Sequence, residues 1–193
     1  MIIGITGGSG SGKTTLLKLL EEQGALVLDC DAVYHELLKT DREMLSAIGA
    51  RFPGTVEDGA LQRKKLGAVV FADPQALLDL NAITHAAVKK EVLSRLETAP
   101  KHCAIDAIGL FEGGLAQLCD VTVAVTAPVE DRIARLMARD GISEEYAKKR
   151  INAQHDDSWF REKCDYALHN DGKLDAFATK CLAFLRQLAI MEA

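Results

Sequence analysis

Apolar residues along this chain fall into short unbroken runs separated by longer, periodic stretches. Ile2 to Thr6 is one such run, ending in glycines, and leucines at 16, 17, 19 and 20 follow before Gly24 interrupts them. A run of that length bounded by turn residues reads as a strand buried on both faces, and the leucine spacing reads as a helix. A second run, Ala25 to Leu28, closes on Asp29 and Asp31, and others are Cys103 to Ile108, Val121 to Thr126 and, shorter, Tyr166 to Leu168. Helical stretches lie between several of them, so the alternation predicts an α/β fold with a mostly parallel sheet.

From Asp41 to Ala99 the alternation stops. Turn signals at Pro53-Gly54 and Glu57-Asp58-Gly59 separate helical stretches there, and almost no run is strand-like. We expect one folding unit over 1–193, with a core from 1–40 and 100–193 and a helical insertion over about 41–99. The clearest helix of the insertion begins at Asp73-Pro74, an N-cap followed by proline at the first helical position. Its apolar positions are Leu77, Leu80, Ile83, Ala87, Val88 and Val92. A smaller helix, Ser143 to Gln154, carries Lys148, Lys149 and Arg150 and little apolar surface. That composition makes poor core material, and we expect a lid over about 140–155.

The 193 residues are enough for one domain with a modest insertion, and 48 % hydrophobic with 26 % charged residues excludes disorder, collagen-like repeats and coiled coil. Lys and Arg total 23 against 28 Asp and Glu, a net charge of −5 that disfavours a nucleic-acid polymer as partner. A local positive pocket for a small anion is still allowed. The five cysteines are odd in number, scattered and free of any C-x-x-C pair, so they read as reduced thiols without a zinc site. The N-terminal run has no basic flank and meets glycines within a few residues. We therefore expect neither a signal peptide nor a membrane span, a cytoplasmic location, and no obligate protein partner.

Candidate chemistry begins at Gly7-Gly8-Ser9-Gly10-Ser11-Gly12-Lys13-Thr14, which satisfies G-x-x-x-x-G-K-[ST] between an expected strand and an expected helix. Glycines let the backbone curl so that successive N–H groups face a phosphate, and the helix that follows adds the positive end of its dipole. Gly8, Ser9, Gly10, Ser11, Gly12, Lys13, Thr14 and Thr15 are the candidate nucleotide ligands. Lys13 would reach the β/γ-phosphates and the Thr14 hydroxyl would ligate Mg²⁺. No N/T-K-x-D tetrapeptide and no L-S-G-G-Q-like signature occurs, which leaves a small-molecule kinase ahead of a GTPase or a transporter-type ATPase.

In open α/β sheets the reacting groups gather beyond the carboxyl ends of the strands, where Asp29-Cys30-Asp31 stands. Asp31 is the candidate general base, able to take the proton of a hydroxyl acceptor while bordering Mg²⁺ through water. Both aspartates also fit as N-caps of a helix beginning near Ala32, Asp29 especially. Asp106 follows apolar residues as a Walker-B-like aspartate would, or serves to orient Thr14 or the loop. Of Arg132 and Arg135, one is expected to face the nucleotide, with Arg135 favoured by spacing. Trp159 and Phe160 read as packing groups.

Beyond the loop the chain resembles the dephospho-CoA kinase family. The resemblance runs through Leu28-Asp29-Cys30-Asp31, Gly59 to Leu66, Phe71-Ala72-Asp73-Pro74, Leu80 to His85, Leu110-Phe111-Glu112, Arg135 to Asp140, Arg150 to Gln154, Asp165 and Asn170-Asp171-Gly172. It implies a P-loop kinase with a five-stranded parallel-sheet core, a helical acceptor-binding domain and a lid. It implies ATP- and Mg²⁺-dependent phosphorylation of the ribose 3′-hydroxyl of dephospho-CoA, giving CoA and ADP. By the same resemblance Asp31 is the catalytic aspartate, helped by Lys13 and Arg139, and Gln62, Arg63, Leu66, Asn81 and His85 hold the acceptor. Arg139 and Arg150 become lid arginines on the ATP phosphates, and Asn170 and Gly172 border adenine. Two departures flank the acceptor side: Ile108-Gly109 stands where the family writes proline and leucine, and Ala86 follows His85 in place of proline. A P-loop kinase for a nucleoside or nucleotide, and a non-catalytic nucleotide-binding regulator, are the alternative readings.

Overall fold

Five of the apolar runs pair into a single sheet. The computed structural model describes residues 1–190. Its elements are β1 (Ile2–Thr6), α1 (Lys13–Glu22), β2 (Leu26–Asp29), α2 (Cys30–Thr40), α3 (Arg42–Arg51), β3 (Val56–Glu57), β4 (Ala60–Leu61), α4 (Arg63–Val70) and α5 (Pro74–Leu96). There follow β5 (Cys103–Asp106), a 3₁₀ turn (Ala116–Leu118), β6 (Val121–Thr126), α6 (Val129–Asp140), α7 (Glu144–Asn152), α8 (Asp157–Lys163), β7 (Tyr166–His169) and α9 (Leu174–Gln187). The sheet order is β2-β5-β1-β6-β7, with Ile2 opposite Cys103, Ile3 opposite Val121 and Val123 opposite Tyr166 in parallel register. The chain leaves β1 at the centre and goes to opposite sides for β5 and β6, so the loop after β1 stands at the switch point of the sheet.

The chain forms two compact units. The first takes in Met1–Leu28, Ala99–Leu110 and the chain from Leu115 onward; the second takes in Asp29–Thr98 and Phe111–Gly114. In the first, Ile3, Ile5, Leu16, Leu20, Ala104, Val123, Val125, Phe177 and Leu185 form one buried cluster between the sheet and the pair α1 and α9. Leu16 and Leu20 are fully buried, Leu17 nearly so, which is the helical stripe read from the sequence.

In the second unit α5 is packed by α2, α3 and α4. Being enclosed from several sides, α5 has no single apolar stripe. Its buried positions are Ala76, Thr84, Val88 and Val92, whereas Leu77, expected in the core, is 38 % exposed. The Glu57-Asp58-Gly59 turn signal resolves into a hairpin of β3 and β4, with Asp58 and Gly59 at φ 51° and 76°, the pairing geometry that Asp-Gly favours. Asp73 caps α5 by accepting from the Gln75 N–H, and Pro74 follows at the first turn as expected. The polar helix α7 is held on α6 by Ala147 and Ile151, buried with Ile133 and Leu136. Two apolar residues one turn apart suffice to dock it.

Candidate active site

The loop between β1 and α1 is left-handed at Gly12, with φ 105°, a region in which an L side chain is strained. A Cβ there would come within 2.3 Å of the Asn170 amide nitrogen, and one on Gly8 within 1.9 Å of an Arg132 guanidinium nitrogen. Glycine is thus demanded by neighbours that press on the loop from just after β7 and from α6. Lys13 folds over it, its ammonium donating to the Gly7 carbonyl at 2.9 Å. Thr14 lies exposed in the first turn of α1, where the free N–H groups of the helix start favour an anion.

Four side chains from distant parts of the chain grip the loop. The Arg132 guanidinium, 2 % exposed, donates to the Ser9 carbonyl at 3.0 Å and to the Asp157 carboxylate at 3.2 Å. Burial pulls its pKa down and the Asp157 charge opposes that shift. Arg135 donates to the Gly10 carbonyl at 3.1 Å. Gln154 bonds Ser9 twice, and Asn170, buried, donates from its side chain to the Ser11 carbonyl at 2.9 Å. Arg132 and Arg135 therefore both meet the loop, where one of the two was expected to face the nucleotide. Asn170, expected beside the base, spends its amide on the loop itself. Gly172 has no crowding neighbour that demands glycine. The sequence offers Arg132 as one of two candidates to face the nucleotide and Gln154 only as the end of the resembling stretch Arg150 to Gln154; it assigns neither to the loop.

Arg139 and Arg150 are placed differently. Arg139 forms a two-pronged pair with Asp140 at 2.7 and 3.1 Å, and Arg150 donates to the same carboxylate at 2.6 Å. Hydrogen bonds from Arg139 first and Arg150 second lower the Asp140 pKa to about 2.

At the end of β2, Asp29 is the cap: its carboxylate accepts from the Asp31 and Ala32 N–H groups. This leaves Asp31 in the first turn of α2, exposed, with its carbonyl accepting from His35 Nδ1 at 2.7 Å. In the helical unit Gln62 precedes α4 and Arg63 opens it, close enough to Tyr34 to oppose the upward shift that burial gives the phenol. Asn81 and His85 lie one turn apart on α5, both half-buried. Leu66 is 4 % exposed, so it is a packing residue with little surface left for a ligand.

Asp106 ends β5 directly beside Ile5 of β1, at the root of the loop. The departure at Ile108-Gly109 is tied down by Thr6, whose hydroxyl donates to the Ile108 carbonyl at 3.1 Å. Trp159 and Phe160 are packing groups as expected, Phe160 fully buried and Trp159 stacked on His155 at 3.8 Å. All five cysteines are free thiols, and burial pushes Cys119 up to about 12 and Cys164 and Cys181 to about 11, so these three are inert. No helix among the described residues is long and apolar enough to cross a membrane.

A glycine loop carrying Lys and Thr at the switch point of a five-stranded parallel sheet, with arginines on the crossover between β6 and β7, defines a P-loop kinase. Comparison with known proteins narrows this class. The family model described as dephospho-CoA kinase matches residues 1–176. A Deinococcus radiodurans protein named dephospho-CoA kinase is 39 % identical over 192 residues, covering 97 % of this chain and 92 % of that one. The crystal structure of TT1252 from Thermus thermophilus has a TM-score of 0.80 at 35 % identity, with 97 % of each chain covered. A dephospho-CoA kinase from Campylobacter jejuni has the same fold, with TM-score 0.68, 22 % identity, and 97 % and 96 % of the chains covered. The chain belongs to the dephospho-CoA kinase family.

Proposed function

We propose that the protein transfers the γ-phosphoryl group of ATP to the 3′-hydroxyl of dephospho-CoA, giving CoA and ADP, the last step of coenzyme A biosynthesis. The observation that carries this reading is the gripped loop: Lys13 and the α1 N-terminus stand on a loop whose carbonyls are held by Arg132 and Asn170, in a chain of that family. Transfer of a phosphoryl group asks the protein mainly for positioning and charge neutralisation. Lys13 exchanges its bond to Gly7 for the β/γ-phosphates. Arg139 and Arg150 leave Asp140 for phosphate oxygens, to which planar guanidinium donors are matched. Asp31, relieved of capping by Asp29, takes the proton of the attacking hydroxyl. Arg63, with Gln62, Asn81 and His85, supplies the polar and cationic groups for the acceptor.

The Thr14 hydroxyl, exposed at the start of α1, suits Mg²⁺, which takes most of its oxygens from phosphate and water and needs few from protein. When bound, the ion offsets charge on the transferring group. We also place the enzyme in the cytoplasm, on its five free thiols. The test is ADP release with dephospho-CoA set against a panel of nucleosides and nucleotides; turnover confined to the panel would overturn the acceptor. Asp31→Asn is expected to lower kcat by roughly 10²–10⁴-fold with little change in ATP binding, and a near-normal kcat would remove the aspartate from its role.

A further inference from the structure

Ser9, the third residue of the glycine loop, is 7 % exposed and has its polar groups taken by side chains from outside the loop. Its N–H donates to Gln154 Oε1 at 2.8 Å, its hydroxyl accepts from Gln154 Nε2 at 2.7 Å, and its carbonyl accepts from Arg132 Nε at 3.0 Å. The ring is closed by Arg132 Nη2, 3.4 Å from the same Gln154 oxygen. A buried backbone N–H must find an acceptor, and in a phosphate loop that acceptor is either the ligand or the protein. At Ser9 it is the protein.

We propose that Gln154 is a positioning residue for phosphoryl transfer. It acts through Ser9: by fixing both the N–H and the hydroxyl of that residue, it sets the loop so that the N–H groups farther along face the phosphates before nucleotide arrives. A loop already ordered spares the ligand the cost of ordering it, and the saving appears as affinity for the phosphates. Arg132 holds the other end of the Ser9 peptide and, through Asp157, fastens the arrangement to α8. Gln154 also stands two residues past α7, the helix that bears Arg150, so the same contact anchors the C-terminal end of that segment. The inference rests on the reading of the loop as the ATP site.

Gln154→Leu tests it, because the side chain lines a cavity of about 630 Å³ and leucine can be accommodated without crowding. The dissociation constant of ATP with Mg²⁺, measured by calorimetry without acceptor, is expected to rise about five- to thirty-fold, as for the loss of one or two hydrogen bonds. The KM for dephospho-CoA should stay within about twofold, and Tm should fall by no more than about 2–8 °C. Ser9→Ala keeps the N–H contact and should weaken ATP about two- to fivefold alone, yet add almost nothing in the Gln154→Leu background. Unchanged ATP affinity overturns the proposal. So does a rise in both substrate constants with a large fall in Tm, or multiplication of the two effects. If Gln154→Leu does not fold, Ser9→Ala decides alone: ATP affinity must fall with the acceptor KM unmoved, and any other result overturns the role. Wild-type protein that releases no ADP with dephospho-CoA while these ATP effects hold would defeat the acceptor reading and leave Gln154 standing; normal turnover with unaltered ATP binding would do the reverse.

Discussion

Two pairs of arginines, all on or next to the α6–α7 segment, meet entirely different surroundings. Arg132 and Arg135 donate to loop carbonyls and belong to the floor of the phosphate site. Arg139 and Arg150 converge on one carboxylate, Asp140, with Arg139 61 % exposed. Arg132, buried and bonded to the Ser9 carbonyl, is fixed, because moving it strands both its own charge and the carbonyl, whereas Arg135, 34 % exposed, is held by its bonds to the loop carbonyls. A guanidinium paired with a carboxylate that water reaches gives up less on leaving, since solvent takes over much of the lost pairing. The first pair can shape a site before ligand binds. In the proposed reaction the second would hold charge in reserve, which is what a transition state with growing negative charge on its oxygens requires.

Breaking this contrast has graded consequences. The largest is expected for Arg139→Ala, which should lower kcat by about 10²–10³-fold, the scale of a lost transition-state donor, while Tm stays within about 1 °C. Equal losses in kcat and Tm would mean that Arg139 is structural after all. Arg132→Met should do the opposite. It leaves Asp157 without its partner and the Ser9 carbonyl without its donor, at a cost of about 3 kcal/mol and hence a fall in Tm of roughly 6–12 °C in a thermal melt.

Gly8→Ala drives a methyl into the Arg132 guanidinium and should reproduce part of that loss, about 1–3 kcal/mol, with weaker ATP binding. Asp140→Asn is expected to have the smallest effect: with the arginines released, the KM for ATP falls about two- to fivefold at low salt, and the gain shrinks as salt is added. Because the Asp140 carboxyl is depressed to about 2, the charged triad is complete above the ordinary carboxylate range and is lost as pH falls from about 4 through that value, which an NMR titration of Asp140 would follow.

Much of this molecule is legible in the order of its residues. The strands at Ile2–Thr6 and Val121–Thr126, the P-loop and the Asp73-Pro74 helix start all announce themselves within a few consecutive residues. Asp29 reads equally as a cap or a chemical group, and the cap geometry decides for the former. Leu77 reads as a core residue and is not one, because α5 is enclosed on several sides and no single stripe marks its buried face. Leu66, an expected acceptor contact, is instead covered by its own unit. Asn170, an expected neighbour of the base, is engaged with the Ser11 carbonyl.

The sequence by itself determined the α/β alternation, the phosphate-binding loop with its lysine and threonine, and the presence of basic residues on the α6–α7 segment. These depend on spacing between near neighbours, which fixes backbone conformation and face locally. Only the tertiary structure decided which arginines bond the loop and which pair with Asp140, and that Gln154 and Asn170 bond the loop. Ser9 meets Arg132 and Gln154, and Ser11 meets Asn170, across separations of 123, 145 and 159 residues. At such distances a side chain's partner is set by where the sheet brings the strand ends together, and nothing in the residues around either member encodes it.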